Sequence, residues 1–403
     1  MEALRAQIRK ATGELGREDQ VVPGVVLLSG NKSGPVVQEA FGFKSLKPDA
    51  AKVDLDTTFW VASCTKLMTS IAALQLVEKG LVDLDEDITR VLHEWKDAKI
   101  LTGFDDDGKP ITRLARNKMT LRQLLTHSNG MSYSFLSQDL QKYRKAMGMP
   151  PHGGVGNQTL METYGDPLLY EPGEGWGYSY ATDWAGVVVE RLGGCGRLQG
   201  YMIKNIWGPL GMDDATFHLS EREDLKANLI QMTTRTVDGA LTTPATHMGS
   251  GELQFDSGGG GVYMKPIEFS KLLSSILRND EVLLKKDTVE MMFTPQLSNP
   301  KYLHEWMDKS PMRYHYLKDL PSKVDYNWGL GGLLLLQDTP GRRKAGTLMW
   351  GGIPNLSWWI DRKSDLYASY STQVLPPGDR ESLKLIIDFE NVLYADIEDN
   401  NVD

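Results

Sequence analysis

Cysteine is the scarcest chemistry-bearing residue in this chain: Cys64 and Cys195 are the only two among 403 residues. Two cysteines exclude a disulfide framework and a cysteine-based zinc ribbon, and they suit a reducing compartment. Positive charge is short as well. Lys and Arg number 44 against 53 Asp and Glu, a net charge of −9, which disfavours phosphate backbones and anionic membrane surfaces as partners. No run reaches the roughly 18 to 20 apolar residues of a membrane span. The amino terminus MEALRAQIRKATGELGRED lacks the apolar core of a secretory signal, and the carboxyl end IEDNNVD carries no lipidation or peroxisomal signal. These absences together read as a cytoplasmic protein with neither nucleic acid nor membrane as a partner. The seven histidines show no His-Glu-x-x-His and no close pairs, so no metal site is expected. Gly258–Gly261 lacks the strand and phosphate-loop context of a nucleotide fingerprint, and no cofactor is expected either.

What is present is an ordinary globular composition, 41% hydrophobic, with glycine in excess at 40 residues. There is no collagen period, so the glycines must serve local purposes. Ala3 to Leu15 has helical spacing. Val21 to Leu28 and Val36 to Phe43 read as a β-hairpin around the turn-forming Gly30 to Pro35. A strand, Thr57 to Ala62, runs into a helix over Ser63 to Lys79, with Leu67, Ile71, Leu74 and Val77 on one apolar face. From about Asp85 to Ala227 helices alternate with polar loops, among them the glycine-rich His152 to Asn157, and strand-like runs are scarce. Asp105 to Gly108 resembles part of a calcium loop, but the frame puts Gly103 and Leu114 where acidic ligands belong, so it reads as a solvated turn. Strand signals return at Leu330 to Gln337, Thr347 to Trp350, Ser357 to Asp361 and Leu366 to Ser371, before a helical Ser382 to Ile397. Their close spacing implies antiparallel pairing. The fold class is therefore α/β (α+β): a central antiparallel sheet flanked by helices, with an inserted, mostly helical domain. Residues 1–85 and 228–403 form the sheet domain and 86–227 the insertion.

Three places could carry chemistry. Ser63-Cys64-Thr65-Lys66 puts a hydroxyl and an ammonium three residues apart at a helix start, where i and i+3 share a face and free N–H groups favour an oxyanion. Alone the spacing is weak evidence, since an N-cap serine followed by a solvated lysine looks the same. Gly175-Trp176-Gly177-Tyr178-Ser179-Tyr180 can present a phenol into a cleft, or can bury two core tyrosines. Trp350-Gly351-Gly352-Ile353 allows a close backbone approach, or marks a strand bulge.

Taken together, these elements resemble the serine β-lactamase and penicillin-binding-protein superfamily. Ser63 and Lys66 match its Ser-x-x-Lys. Tyr178 matches the tyrosine of its Tyr-x-Asn, with Tyr180 where the asparagine would stand, and Trp350-Gly351-Gly352 replaces its Lys-Thr-Gly. A Trp-Gly-Gly third motif is similar to that of family VIII carboxylesterases. The strings FWVASCTKLMTSIAALQLVEKGLVDLDEDI, LRQLLTHSNGMSY and MWGGIPNLSWWIDR resemble the fungal branch that contains the lovastatin side-chain acyltransferase. The resemblance implies an acylated Ser63, a proton-sharing Lys66, Tyr178 as general base, and an oxyanion hole from the N–H groups of Ser63 and Ile353. It implies substrate contacts from Trp350, Gly351, Gly352 and Tyr180; Tyr326, in the aromatic stretch Tyr302 to Trp328, is a further substrate-contact candidate. Without a lysine at position 350, β-lactam hydrolysis is not the expected activity.

The expected function is thus serine-dependent acyl transfer on a small-molecule ester or thioester, as a transesterase or as a hydrolase. The partners would be a small-molecule acyl donor, an acceptor alcohol, and an acyl-carrier protein or other thioester donor. A non-catalytic binding protein of the same fold should have lost Ser63, Lys66 or Tyr178, and none is lost. Cys64 points to a different helix face and reads as inert. His127, in Leu125 to Gly130, reads as structural, and Gly258–Gly261 as tight packing beside the site. The aromatic stretch Tyr302 to Trp328 reads as a loop that is either a lid over an apolar substrate or a satellite core.

Overall fold

The computed structural model describes residues 1–150, 158–244, 253–310, 312–318, 320–321 and 324–400. The glycine-rich stretch 152–157, read above as a loop, lies outside them.

Both ends of the chain build one sheet. A hairpin joins β1 (Gly24–Asn31) to β2 (Gly34–Gly42). Five later strands complete it: β3 (Tyr326–Trp328), β4 (Leu333–Leu335), β5 (Leu348–Gly352), β6 (Leu356–Asp361) and β7 (Leu366–Ser371). In space they run β3-β4-β5-β6-β7-β1-β2, every pair antiparallel, and the chain ends meet where Val26 pairs with Ser371. The helices include α1 (Glu2–Ala11), α2 (Thr65–Glu78), α3 (Ala181–Leu192), α4 (Pro266–Arg278) and α5 (Arg380–Asn400). Successive side chains of a strand face opposite ways, and β6 shows what each face meets. Trp358 packs on Phe269 of α4, whereas Trp359 packs on Phe389 of α5. Both faces are covered, which is why Leu356 to Asp361 is buried at every position.

The strand expected over Thr57 to Ala62 is shorter, Phe59–Trp60, and belongs to a separate three-stranded sheet with Tyr263–Met264 and Ala215–Thr216. The chain then turns sharply through Ala62–Cys64 into α2, with Ala62 in the left-handed region at φ 45°. That conformation costs an L-residue roughly 1–2 kcal/mol. The expectation of a single apolar face on α2 needs correcting: every residue from Thr65 to Leu76 is buried. A helix buried all round is a central one, and α2 packs most closely against α3. The intervening segment is also less purely helical than its sequence suggests. It holds a hairpin, Lys99–Phe104 with Pro110–Leu114, whose second strand is mostly exposed and so lacks the alternation that marks a half-buried strand. Asp105 closes its tip by accepting from the N–H groups of Asp107 (3.1 Å) and Lys109 (2.7 Å), a plain turn.

Candidate active site

The turn ahead of α2 delivers Ser63 to the wall of a cavity of about 1820 Å³, where Tyr133, Tyr178, Tyr180, Gly351 and Ile353 also stand. One helical turn on, Lys66 is 3% exposed, and its Nζ has three acceptors: Ser63 Oγ at 3.3 Å, Tyr133 Oη at 2.9 Å and the Gly259 carbonyl at 2.6 Å. An ammonium has three N–H donors and no acceptor, so these three partners satisfy it in its charged form. The same Nζ lies 4.8 Å from the centroid of the Tyr178 ring.

Tyr178 and Tyr133 are held to one another by backbone. The Tyr133 N–H donates to the Tyr178 carbonyl at 3.1 Å, and the Gly177 N–H to the His127 carbonyl at 3.0 Å. The Tyr178 hydroxyl accepts from Trp350 Nε1 at 3.0 Å. Trp350 is therefore a buried neighbour of Tyr178, stacked on Tyr316 at 4.7 Å, and is absent from the residues lining the cavity. Of the glycine pair, Gly351 lines the cavity. A Cβ on Gly352 would stand 2.7 Å from the Val61 carbonyl, so its lack of a side chain lets β5 lie against the turn that carries Ser63. Tyr180 packs between Tyr133 (4.3 Å) and Tyr164 (4.0 Å), and burial pushes its phenol up to about 12. Tyr326 is placed elsewhere: its ring lies 4.4 Å from His304 and it does not line the cavity.

His127 is enclosed behind Tyr178, edge-on at 4.9 Å, with Nδ1 hydrogen-bonded to Ser179 Oγ at 3.1 Å. Burial, then the charge on Lys66, holds it well below the usual histidine range. Burial pushes the Cys64 thiol up to about 12, which leaves it protonated and unreactive. The stretch Tyr302 to Trp328 is not one loop. It holds the helices Lys301–Lys309 and Arg313–Leu317 before β3, and its aromatics divide: Tyr316 lines the cavity, while Trp306 and Trp328 pack on Trp176.

Several site residues escaped the sequence reading. Tyr133 ends the string LTHSNGMSY but stands in irregular chain, without the periodicity that exposes a core or cleft position. Asp183 sits in the first turn of α3, where an acidic residue is ordinary dipole complementation. The glycine turn packs where expected, with added detail: its carbonyls accept from Thr69 (Gly258, 2.7 Å), Lys66 (Gly259) and Trp60 (Gly260, 2.7 Å). Among the described residues, no group of three or more His, Cys, Asp or Glu stands together as a metal site. No helix among them is long and apolar enough to cross a membrane.

Comparisons with known proteins show the family. A Beta-lactamase family model matches residues 6–390. The ML-236A carboxylate methylbutanoyltransferase of Penicillium citrinum is 36% identical over 389 residues, covering 94% of this chain and 92% of that protein. The lovastatin esterase of Penicillium rubens is 38% identical over 348 residues, 85% of each. The unliganded simvastatin synthase of Aspergillus terreus superposes with a TM-score of 0.85 at 34% identity, covering 98% of both chains. The chain belongs to the Beta-lactamase family, as a serine enzyme of the acyltransferase and esterase branch.

Proposed function

We propose that the protein moves an acyl group from a small-molecule ester or thioester, through an acyl-Ser63 intermediate, to the hydroxyl of a second small molecule of secondary metabolism. The observation that carries this reading is Lys66 Nζ joined to Ser63 Oγ and Tyr133 Oη beside the Tyr178 ring, on the wall of a cavity of about 1820 Å³. Ordinary ligand pockets run about 300–1,000 Å³, so this one has room for an acyl chain and a bulky acceptor together. With its three donors engaged, Lys66 serves as the fixed positive charge beside the Ser63 oxygen, and Tyr178 as the base that takes the Ser63 proton. Ser63 Oγ attacks the donor carbonyl, and the oxyanion is received by the N–H groups of Ser63 and Ile353. One such donor is typically worth about 10²- to 10³-fold in rate. The tetrahedral intermediate collapses as Tyr178 returns the proton to the leaving alcohol or thiol. An acceptor alcohol then repeats these steps in reverse order and frees Ser63. A pantetheine thioester, free or on a carrier protein, is the donor class this scheme admits alongside simple esters. Hydrolysis is the second reading, favoured by the 38% identity to a lovastatin esterase.

Incubation with p-nitrophenyl butyrate and with an activated phosphonate tests the scheme. Turnover and a single covalent adduct on Ser63, both lost in Ser63→Ala, are expected. Absence of turnover and adduct in the wild type sinks it. Adding candidate alcohols to the butyrate reaction separates the two readings: a new ester marks transfer, and butyrate alone marks hydrolysis.

A further inference from the structure

Among the described residues that line the cavity, Asp183 is the one carboxylate, and its partners lead to Lys66. Asp183 is 1% exposed, and its Oδ1 accepts from Ser257 Oγ at 2.6 Å and from the Gly259 N–H at 3.0 Å. Its Oδ2 lies so close to Gly259 that a Cβ there would be 2.3 Å away. The carbonyl of that same Gly259 receives Lys66 Nζ at 2.6 Å. Gly259 thus has its N–H on a carboxylate and its C=O, in the next peptide unit, on an ammonium. The turn carrying it is pinned from the α2 side by Thr69, whose hydroxyl donates to the Gly258 carbonyl at 2.7 Å. Burial pushes this carboxyl above the ordinary aspartate value, opposed first by the charge on Lys66 and then by the hydrogen bonds from Ser257 and the Gly259 N–H.

We propose that Asp183 is a positioning residue for acyl transfer: through the backbone of Gly259 and through its negative charge it holds the Lys66 ammonium against Ser63. This rests on the acyl-Ser63 reading above. The other groups around Lys66 are Tyr133, Tyr178, His127 and Cys64. Those that Asp183 faces besides Lys66 are Tyr133, Tyr164 and Tyr180, whose phenols are pushed upward by burial first and by its charge to a lesser degree. The Asp183 carboxylate and the Lys66 ammonium therefore offset one another's charge within the cluster.

The test is the pH–rate profile of Ser63 acylation by p-nitrophenyl butyrate. Asp183→Asn keeps the shape and removes the charge. The acylation rate should fall at least about tenfold with KM changed less than about threefold, and the alkaline limb of the profile should move down by about one pH unit, the usual effect of removing a negative charge beside a cationic site. Ser257→Ala supplies an independent reading should Asp183→Asn fail to fold. It takes one donor from the carboxylate, so Asp183 protonates at higher pH and the acid limb should move up. A role confined to holding the turn together would change melting temperature and leave both limbs in place, and unmoved limbs overturn the proposal. If the wild type forms no Ser63 adduct, the acyl-transfer reading fails. If the wild type reacts and Asp183→Asn reacts as fast with an unmoved limb, only the role of Asp183 fails.

Discussion

Lys66 directs its three N–H groups at Ser63, Tyr133 and the Gly259 carbonyl, and that arrangement makes Tyr133 more than a wall residue. Hydrogen bonds to a charged group are worth about 1.5–3 kcal/mol. Tyr133→Phe removes one of them without opening a cavity, and should lower kcat for p-nitrophenyl butyrate by about ten- to a hundredfold, with the protein still folded by circular dichroism. An unchanged kcat would show that Tyr133 only fills space. The same scale explains what sequence reading reached. Ser63 and Lys66 are separated by one helical turn, so a local rule brings them together. Tyr133 lies 67 positions from Lys66 and meets it only through the fold.

At the scale of elements, two contacts govern how the pieces around Ser63 sit. The first is between β5 and the turn before α2, where Gly352 faces the Val61 carbonyl. A methyl group in a 2.7 Å gap forces the strand away, at a typical overpacking cost of 1–3 kcal/mol. Gly352→Ala should therefore separate Ile353 from Ser63 and lower kcat/KM at least about tenfold; steady-state kinetics beside a melting curve would distinguish this from general destabilisation. The second is Glu171, whose enclosed carboxylate accepts from Arg113, Arg116 Nε and the N–H groups of Arg116 and Asn117. It ties the exposed hairpin to the loop that leads into Tyr178. The Arg113 guanidinium first, then these backbone donors, hold its pKa down to about 2 against an ordinary 4.5. A depressed carboxylate contributes stability that is whole above its unfolded pKa and is lost as pH falls through the folded one. The stability gap between wild type and Glu171→Gln should thus be constant above pH 4.5 and close between about 4.5 and 2, as read by urea midpoints across that range. The sheet itself was legible at this scale, because β-branched and aromatic runs separated by short turns leave little choice but antiparallel pairing. The outer strand of the hairpin was not, because Pro110 to Leu114 faces solvent and has no apolar alternation to report it.

For the molecule as a whole, enclosure sets the response to acid. His127 and His315 are both enclosed, and burial holds both well below the ordinary 6.5. The unfolded chain takes up protons near that value while the fold refuses them, so stability is whole above about pH 6.5 and declines as pH falls below it. Chemical denaturation at pH 7.5 and 5.5 should show the loss, and His127→Gln should reduce it; a flat profile would mean the two rings titrate freely. What the sequence determined by itself was everything carried by local chemistry: the Ser63 to Lys66 turn, the strand and helix patterns, the absence of a disulfide framework, and motifs close enough to a known family to imply acyl transfer. What only the tertiary structure decided was which distant groups converge. It moved Trp350 from the cavity to the back of Tyr178, sent Tyr326 to His304, and gathered Tyr133, Gly259 and Asp183 around one ammonium. Periodicity records which face of an element is buried, but a polar contact between residues far apart in the chain leaves no period to read, and it exists only once helices and sheet have packed.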